Sequence, residues 1–238
     1  MSVPDIVILC GGQGTRLRSV IKDVPKPMAA VAGRPFLEIL LSWFQSFHIK
    51  RAVLGTGYLA TSISDHFGAR FGDMDVLYAV DPQPLGTGGA ARAGAILCAS
   101  EMVLICNGDT YLEFDLPAAV ALCVATHDPV VVVTAVDDTE RYGRIDIVGS
   151  SHASFRGRGV VGEGFISGGV YLLPRVLLTQ NGRADPFSLE DFIFGFGLGE
   201  RARAVVATGR FIDIGIPEDY ARAQTMFGEG GGDARAIP

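Results

Sequence analysis

Residues 5–17 read Asp5-Ile6-Val7-Ile8-Leu9-Cys10-Gly11-Gly12-Gln13-Gly14-Thr15-Arg16-Leu17, or DIVILCGGQGTRL. A short apolar run ends in three glycines and an arginine. The run predicts a strand over Asp5–Cys10. Glycines without Cβ atoms let backbone N–H groups approach an anion closely, so the junction predicts a phosphate-binding loop.

Outward from this stretch, short apolar runs alternate with helical patterns. Further strands are expected at Ala52–Thr56, Asp75–Val80, Met102–Cys106 and Pro129–Val136. Helices are expected near Pro35–Phe47, Leu59–Phe67, Thr87–Ala99 and Leu116–Thr126. This alternation predicts an α/β fold, a Rossmann-like, mostly parallel sheet flanked by helices on both faces. After residue 137 the pieces RIDIV, SHASF and ISGGVYLL follow one another through short joins, which predicts a small antiparallel section in the C-terminal half. Helices near Ser188–Phe194 and Pro217–Phe227 flank the strands RAVVAT and FIDI. The expected organisation is one domain over residues 1–228, then a mobile tail over 229–238.

Composition narrows the function. Of 238 residues, 48% are hydrophobic and 19% charged, enough for a large core. The net charge of −6 argues against a nucleic-acid binder. No apolar run reaches the roughly 18–20 residues of a membrane span, and residues 1–7 lack the pattern of a signal peptide. Cys10, Cys98, Cys106 and Cys123 lie in apolar segments without metal-ligand spacing, as expected of buried thiols in a cytoplasmic protein. The histidines, His48, His66, His127 and His152, are scattered and form no catalytic set.

The phosphate loop has three readings. A P-loop needs a Gly-Lys pair, and the chain contains none. A dinucleotide fingerprint would need its third glycine where Leu17 stands. The third reading is G-G-x-G-T-R-L followed by a nearby Lys-Pro, here VPKPM with Lys26. With PLGTGGA (Pro84–Ala90), NGDT (Asn107–Thr110), RYGRI (Arg141–Ile145) and FIDIGIPEDY (Phe211–Tyr220), in that order, the chain resembles the sugar-1-phosphate nucleotidylyltransferases over nearly its whole length. Within that family, SVIKDVPKPMAAVAGRPFL and FIDIGIPEDYARAQ look closest to the D-glycero-α-D-manno-heptose-1-phosphate guanylyltransferases.

The resemblance implies the family's nucleotide-diphospho-sugar transferase fold and its reaction. A sugar-1-phosphate oxygen attacks the α-phosphorus of a nucleoside triphosphate, and pyrophosphate leaves. The favoured pair is GTP and D-glycero-α-D-manno-heptose 1-phosphate, giving GDP-heptose for bacterial surface polysaccharide such as capsule or lipopolysaccharide. The alternatives are a hexose 1-phosphate with GTP, UTP or dTTP, and a non-catalytic nucleotide-sugar sensor. No nucleic-acid or membrane partner is expected, and a homo-oligomer stays open.

Residue by residue, the resemblance makes Arg16 and Lys26 the catalytic cations, with Lys26 stiffened by Pro25 and Pro27. It puts the nucleotide on Cys10, Gly11, Gly12, Gly14 and Thr15, with Gln83, Gly88 and Gly89 near the base. A helix start capped by Thr87 also accounts for Gly88 and Gly89. Asp109 follows an apolar strand and a turn glycine, where open α/β sheets bind ligands. Asp213 stands between Ile212 and Ile214, where an unpaired carboxylate is costly to bury. The resemblance makes both Mg²⁺ ligands, gathered at one edge of the sheet. Without it, Asp109 reads as a turn residue and Asp213 as a cap or local ion pair. The sugar falls to Gly143, Arg158, Ser167 and Gly168. Gly157 stands where the family commonly has a glutamate, and Glu163 is the expected substitute for it.

Overall fold

A computed structural model describes residues 3–12, 17, 20–21, 24–57, 60–81, 83–195 and 198–228. Gly14, Thr15, Arg16 and the segment 229–238 lie outside the described residues.

The chain runs β1 (Asp5–Leu9), β2 (Ala30–Val31), β3 (Arg34–Pro35), α1 (Phe36–Gln45), β4 (Arg51–Thr56), α2 (Ala60–Phe67), β5 (Arg70–Phe71), β6 (Met74–Val80) and α3 (Gly86–Leu97). It continues β7 (Met102–Asn107), β8 (Thr110–Leu112), α4 (Leu116–Thr126), β9 (Val130–Val136), β10 (Arg144–Val148), β11 (His152–Gly157) and β12 (Gly164–Pro174). The last elements are α5 (Arg175–Thr179), α6 (Leu189–Phe194), β13 (Arg203–Ala207), β14 (Phe211–Asp213) and α7 (Pro217–Phe227).

Ten strands form one mixed sheet in the order β10-β11-β13-β9-β12-β7-β1-β4-β6-β5. Parallel pairing joins β7, β1, β4 and β6, and again β9 and β13. The antiparallel section is not confined to an edge. β12 lies between β7 and β9 and pairs antiparallel with both, so it couples the two parallel parts.

The central strands are apolar along their whole length because both faces are covered. Ile6 and Ile8 of β1 enter one core and Val7 enters the other. β9 alternates in the same way, Val130 and Val132 against Val131 and Val133. The first layer is filled by α1, α2, α4 and α7, the second by α3, α5 and α6. A side chain at Gly94 of α3 would meet Val7 Cγ1 at 2.5 Å, so that helix lies directly on β1. Asp115 caps α4 by accepting from Ala118 N–H at 2.8 Å, and Ser188 caps α6 through Asp191 N–H at 3.2 Å. Thr87 is not a cap: α3 begins at Gly86, and the Thr87 hydroxyl accepts from Leu189 N–H at 2.9 Å.

Candidate active site

The site begins where β1 and β7 end side by side, with Leu9 opposite Asn107. Gly108 N–H donates to Leu9 O at 3.0 Å. A Cβ on Gly108 would lie 2.8 Å from that oxygen and 3.2 Å from Pro27 Cγ. Glycine therefore lets the loop after β7 lie flat on the loop after β1 and on the 3-10 turn Lys26–Met28. That contact delivers Lys26 to Asp109.

Asp213 reaches the same point by another route. β14 pairs antiparallel with β8 in a small separate ribbon, with Asp213 opposite Thr110, and Ile214 N–H donates to Asp109 O at 3.0 Å. The ribbon, rather than an edge of the main sheet, brings the two aspartates together. Lys26 Nζ lies 2.5 Å from Asp109 Oδ2 and 3.8 Å from Asp213 Oδ1. The lysine and Asp213 side chains are only 12% and 16% exposed, and Asp109 is 33% exposed.

Asp213 is held from two further sides. Gly215 N–H donates to Oδ1 at 2.8 Å, and Arg141 Nη2 contacts Oδ2 at 2.8 Å. Arg141 Nη1 in turn contacts Asp219 Oδ2 at 2.6 Å, and Arg222 Nη1 contacts Asp219 Oδ1 at 2.8 Å. Burial, and then the charge of Asp109, push the Asp213 carboxyl up; Lys26 and Arg141 oppose them. Two carboxylates that repel each other converge on one ammonium and offer oxygen donors of the kind a hard cation takes.

Below this cluster opens a cleft of about 180 Å³, lined in part by Asn107, Arg141, Tyr142, Phe155, Arg158 and Glu190. Gly143 and Ser167 line it as the sequence suggests. Gly143 has φ +110°, and a Cβ there would meet Phe155 Cε2 at 2.7 Å, so both backbone and space require glycine.

Other expectations change. Gly168 does not face the cleft: its missing side chain accommodates Leu112 Cδ2, 2.3 Å from where a Cβ would stand, and Gly169 lines the cleft instead. The irregularity between Ser167 and Val170 in β12 turns the pair this way. Glu163 is exposed and off the cleft; Glu190 of α6 supplies the carboxylate there. Gly88 and Gly89 are buried, with Phe187 and Asp185 filling the places of their side chains. Cys10 is 2% exposed and its N–H donates to Gly55 O at 2.8 Å, so neither its thiol nor its N–H faces a nucleotide. Gly11, Gly12 and Gln83 are exposed, and Gly12 has φ +136°.

Residues 5–227 match the family model described as nucleotidyl transferase. The chain belongs to the nucleotidyl transferase family. In that family, it is 34% identical over 219 residues to D-glycero-alpha-D-manno-heptose 1-phosphate guanylyltransferase of Campylobacter jejuni, covering 90% of this chain and 96% of the relative. It is also 34% identical to the enzyme of that name from Aneurinibacillus thermoaerophilus, covering 92% and 96%. Among solved structures it resembles HddC from Yersinia pseudotuberculosis complexed with GMP-PN, with 36% identity, a TM-score of 0.84, and coverage of 94% and 100%. The family accounts for the fold.

Arg141, Glu190 and Asp219 were not singled out from the sequence. Arg141 had a signal, as the cation opening RYGRI. Asp219 had one too, inside FIDIGIPEDY; Glu190 had none, because packing between distant elements sets its position.

Proposed function

We propose that the protein transfers GMP from GTP to D-glycero-α-D-manno-heptose 1-phosphate, forming GDP-heptose and releasing pyrophosphate. The observation that carries this reading is the pair Asp109 and Asp213 held around Lys26 at the head of a cleft lined by Arg141 and Arg158. The names of the Campylobacter and Aneurinibacillus relatives, and the GMP-PN in the Yersinia protein, support guanine and heptose.

Both reactants are polyanions, so the protein's work is positioning and electrostatics. The donor set fits Mg²⁺: two carboxylate oxygens converge, and the Lys26 ammonium already stands between them as a cation does. When bound there by Asp109 and Asp213, the ion would supply charge neutralisation at the reacting phosphates. Arg141 holds Asp213 in place through its tie to Asp219. Lys26, released from Asp109, reaches a phosphate oxygen. The exposed glycines Gly11 and Gly12 leave their loop open to the triphosphate, and Arg16, outside the described residues, takes the leaving pyrophosphate. Gln83, exposed, meets the base. Arg158, 71% exposed at the cleft, takes the sugar phosphate. The reaction belongs to the cytoplasm, where the triphosphate is made.

Mass spectrometry on a matrix of GTP, UTP and dTTP against heptose and hexose 1-phosphates tests the reading. GDP-heptose with pyrophosphate is the expected product. A hexose product in its place would move the substrate. Binding without pyrophosphate release from any pair would make the protein a sensor.

A further inference from the structure

The chemistry in the cleft is uneven. Arg141 and the two aspartates line it, with Lys26 bonded to Asp109 behind them, groups suited to phosphate and cation. A sugar also presents several hydroxyls, which need acceptors. Among the described residues three carboxylates line the cleft: Asp109, Asp213 and Glu190. The first two are engaged by Lys26 and Arg141. Glu190 stands apart from them.

Its setting is built. Phe155 of β11 and Phe194 of α6 stack with centroids 5.5 Å apart and planes at 22°. Glu190 lies four residues before Phe194, on the same helix face, so this stack turns it toward the cleft. Tyr171 OH donates to Glu190 Oε1 at 3.1 Å. Tyr171 is itself buried, and its oxygen accepts from Ser167 Oγ at 2.9 Å. One carboxylate oxygen is thereby fixed. The other, Oε2, has Arg158 Nη2 at 3.7 Å, too far for a hydrogen bond. That ion pair, to an arginine 71% exposed, contributes little to stability. An oriented carboxylate oxygen with unused lone pairs faces the cleft.

We propose that Glu190 is the specificity-determining residue that accepts hydrogen bonds from the hydroxyls of the sugar, with Tyr171 and Ser167 fixing its orientation. The inference rests on the reaction proposed above. An ionised acceptor makes the stronger hydrogen bond, and a site built for a hydroxyl discriminates against a sugar lacking it. Tyr171 fixes one oxygen of Glu190 for the sugar hydroxyls, while the neighbouring Arg158 takes the sugar phosphate.

The test compares wild type with Glu190→Gln and Tyr171→Phe, measuring steady-state constants for GTP and heptose 1-phosphate and, by calorimetry, binding of heptose 1-phosphate itself. Glu190→Gln keeps the shape and removes the charge. Its KM and Kd for the sugar phosphate should rise roughly ten- to hundred-fold, the range for a lost hydrogen bond to a charged group, with the GTP KM within about twofold. Tyr171→Phe should raise the same two constants less, while thermal unfolding confirms that both variants fold. An active wild type whose Glu190→Gln variant keeps its sugar constants, or loses GTP and sugar equally, overturns this inference alone. A wild type that binds heptose 1-phosphate through Glu190 yet forms no product overturns the proposed reaction and leaves the inference standing. A wild type that does not bind the sugar phosphate overturns both.

Discussion

Lys26 is the residue on which the site turns. Its ammonium lies between two carboxylates in a setting only 12% exposed, so each of the three charges depends on the others. Replacing it with alanine removes the cation and leaves Asp109 and Asp213 facing each other. Lys26→Ala is expected to lower kcat by about 10²-fold or more, the scale for losing one electrostatic donor at a reacting centre. Circular dichroism should still show a folded protein, because the turn around Lys26 is set by its prolines and by the Met28 N–H to Pro25 O bond of 2.8 Å. A folded variant with near-normal kcat would reduce Lys26 to a structural counter-charge. Arg158 differs in kind. It is exposed and loosely paired, so Arg158→Ala should leave stability unchanged and raise the sugar-phosphate KM far more than the GTP KM. Equal effects on both constants would place it wrongly.

At the scale of elements, the site is assembled by joints that sequence patterns report unevenly. The strand before Gly11, the strand ending at Asn107 and α7 were all legible, because their apolar periods and turn residues are local. Of the β8–β14 ribbon only the strand FIDI was; β8 and the pairing were not. Each strand has three residues, and they pair across about a hundred residues of chain, so only the family resemblance, and no local pattern, joined Asp213 to Asp109. No local pattern marks Glu190 either, whose place depends on Phe194 stacking on Phe155. Gly168 and Gly169 illustrate a different gap: a sequence names two glycines without saying which one the bulge turns inward. Another long-range joint is Asp128, just after α4. It is buried and takes hydrogen bonds from Arg201 Nε at 2.8 Å and from Arg203 Nε at 3.0 Å. Burial pushes its carboxyl up, but the bonds from Arg201 and Arg203 outweigh this and hold it below the ordinary range. A depressed carboxyl stabilises the fold above its unfolded value of about 3.9, and that stability is lost as pH falls through the folded value. Asp128→Asn should therefore cost about 1.5–3 kcal/mol at pH 7 in urea unfolding, with the gap to wild type closing as the pH falls below about 4. A gap of the same size at pH 3 would mean that packing, not charge, explains the loss.

Across the whole molecule, the binding site spans parts that fold from distant pieces of chain. Asp109 follows β7 beside the end of β1, Asp213 hangs from the β8–β14 ribbon, and Asp219 ties α7 to that ribbon through Arg141. A ligand that bridges these parts binds only the folded state and must raise its stability. At a hundred times its Kd a ligand adds about 2.7 kcal/mol, which for a chain of this size is a rise of roughly 5–10 °C in Tm. GTP with Mg²⁺ should produce a shift of that order. Removing Mg²⁺ with EDTA should leave a smaller one, because the loop groups still hold the triphosphate while the two carboxylates now repel it. The double variant Asp109→Asn with Asp213→Asn keeps the shape of the site and removes both negative charges. Its Tm should respond to GTP alone but gain nothing further from Mg²⁺. Each single variant should already lose most of the increment, since the two side chains act as one unit on one ion. A double variant that keeps the full Mg²⁺ increment would move the ion away from these aspartates, onto the triphosphate alone.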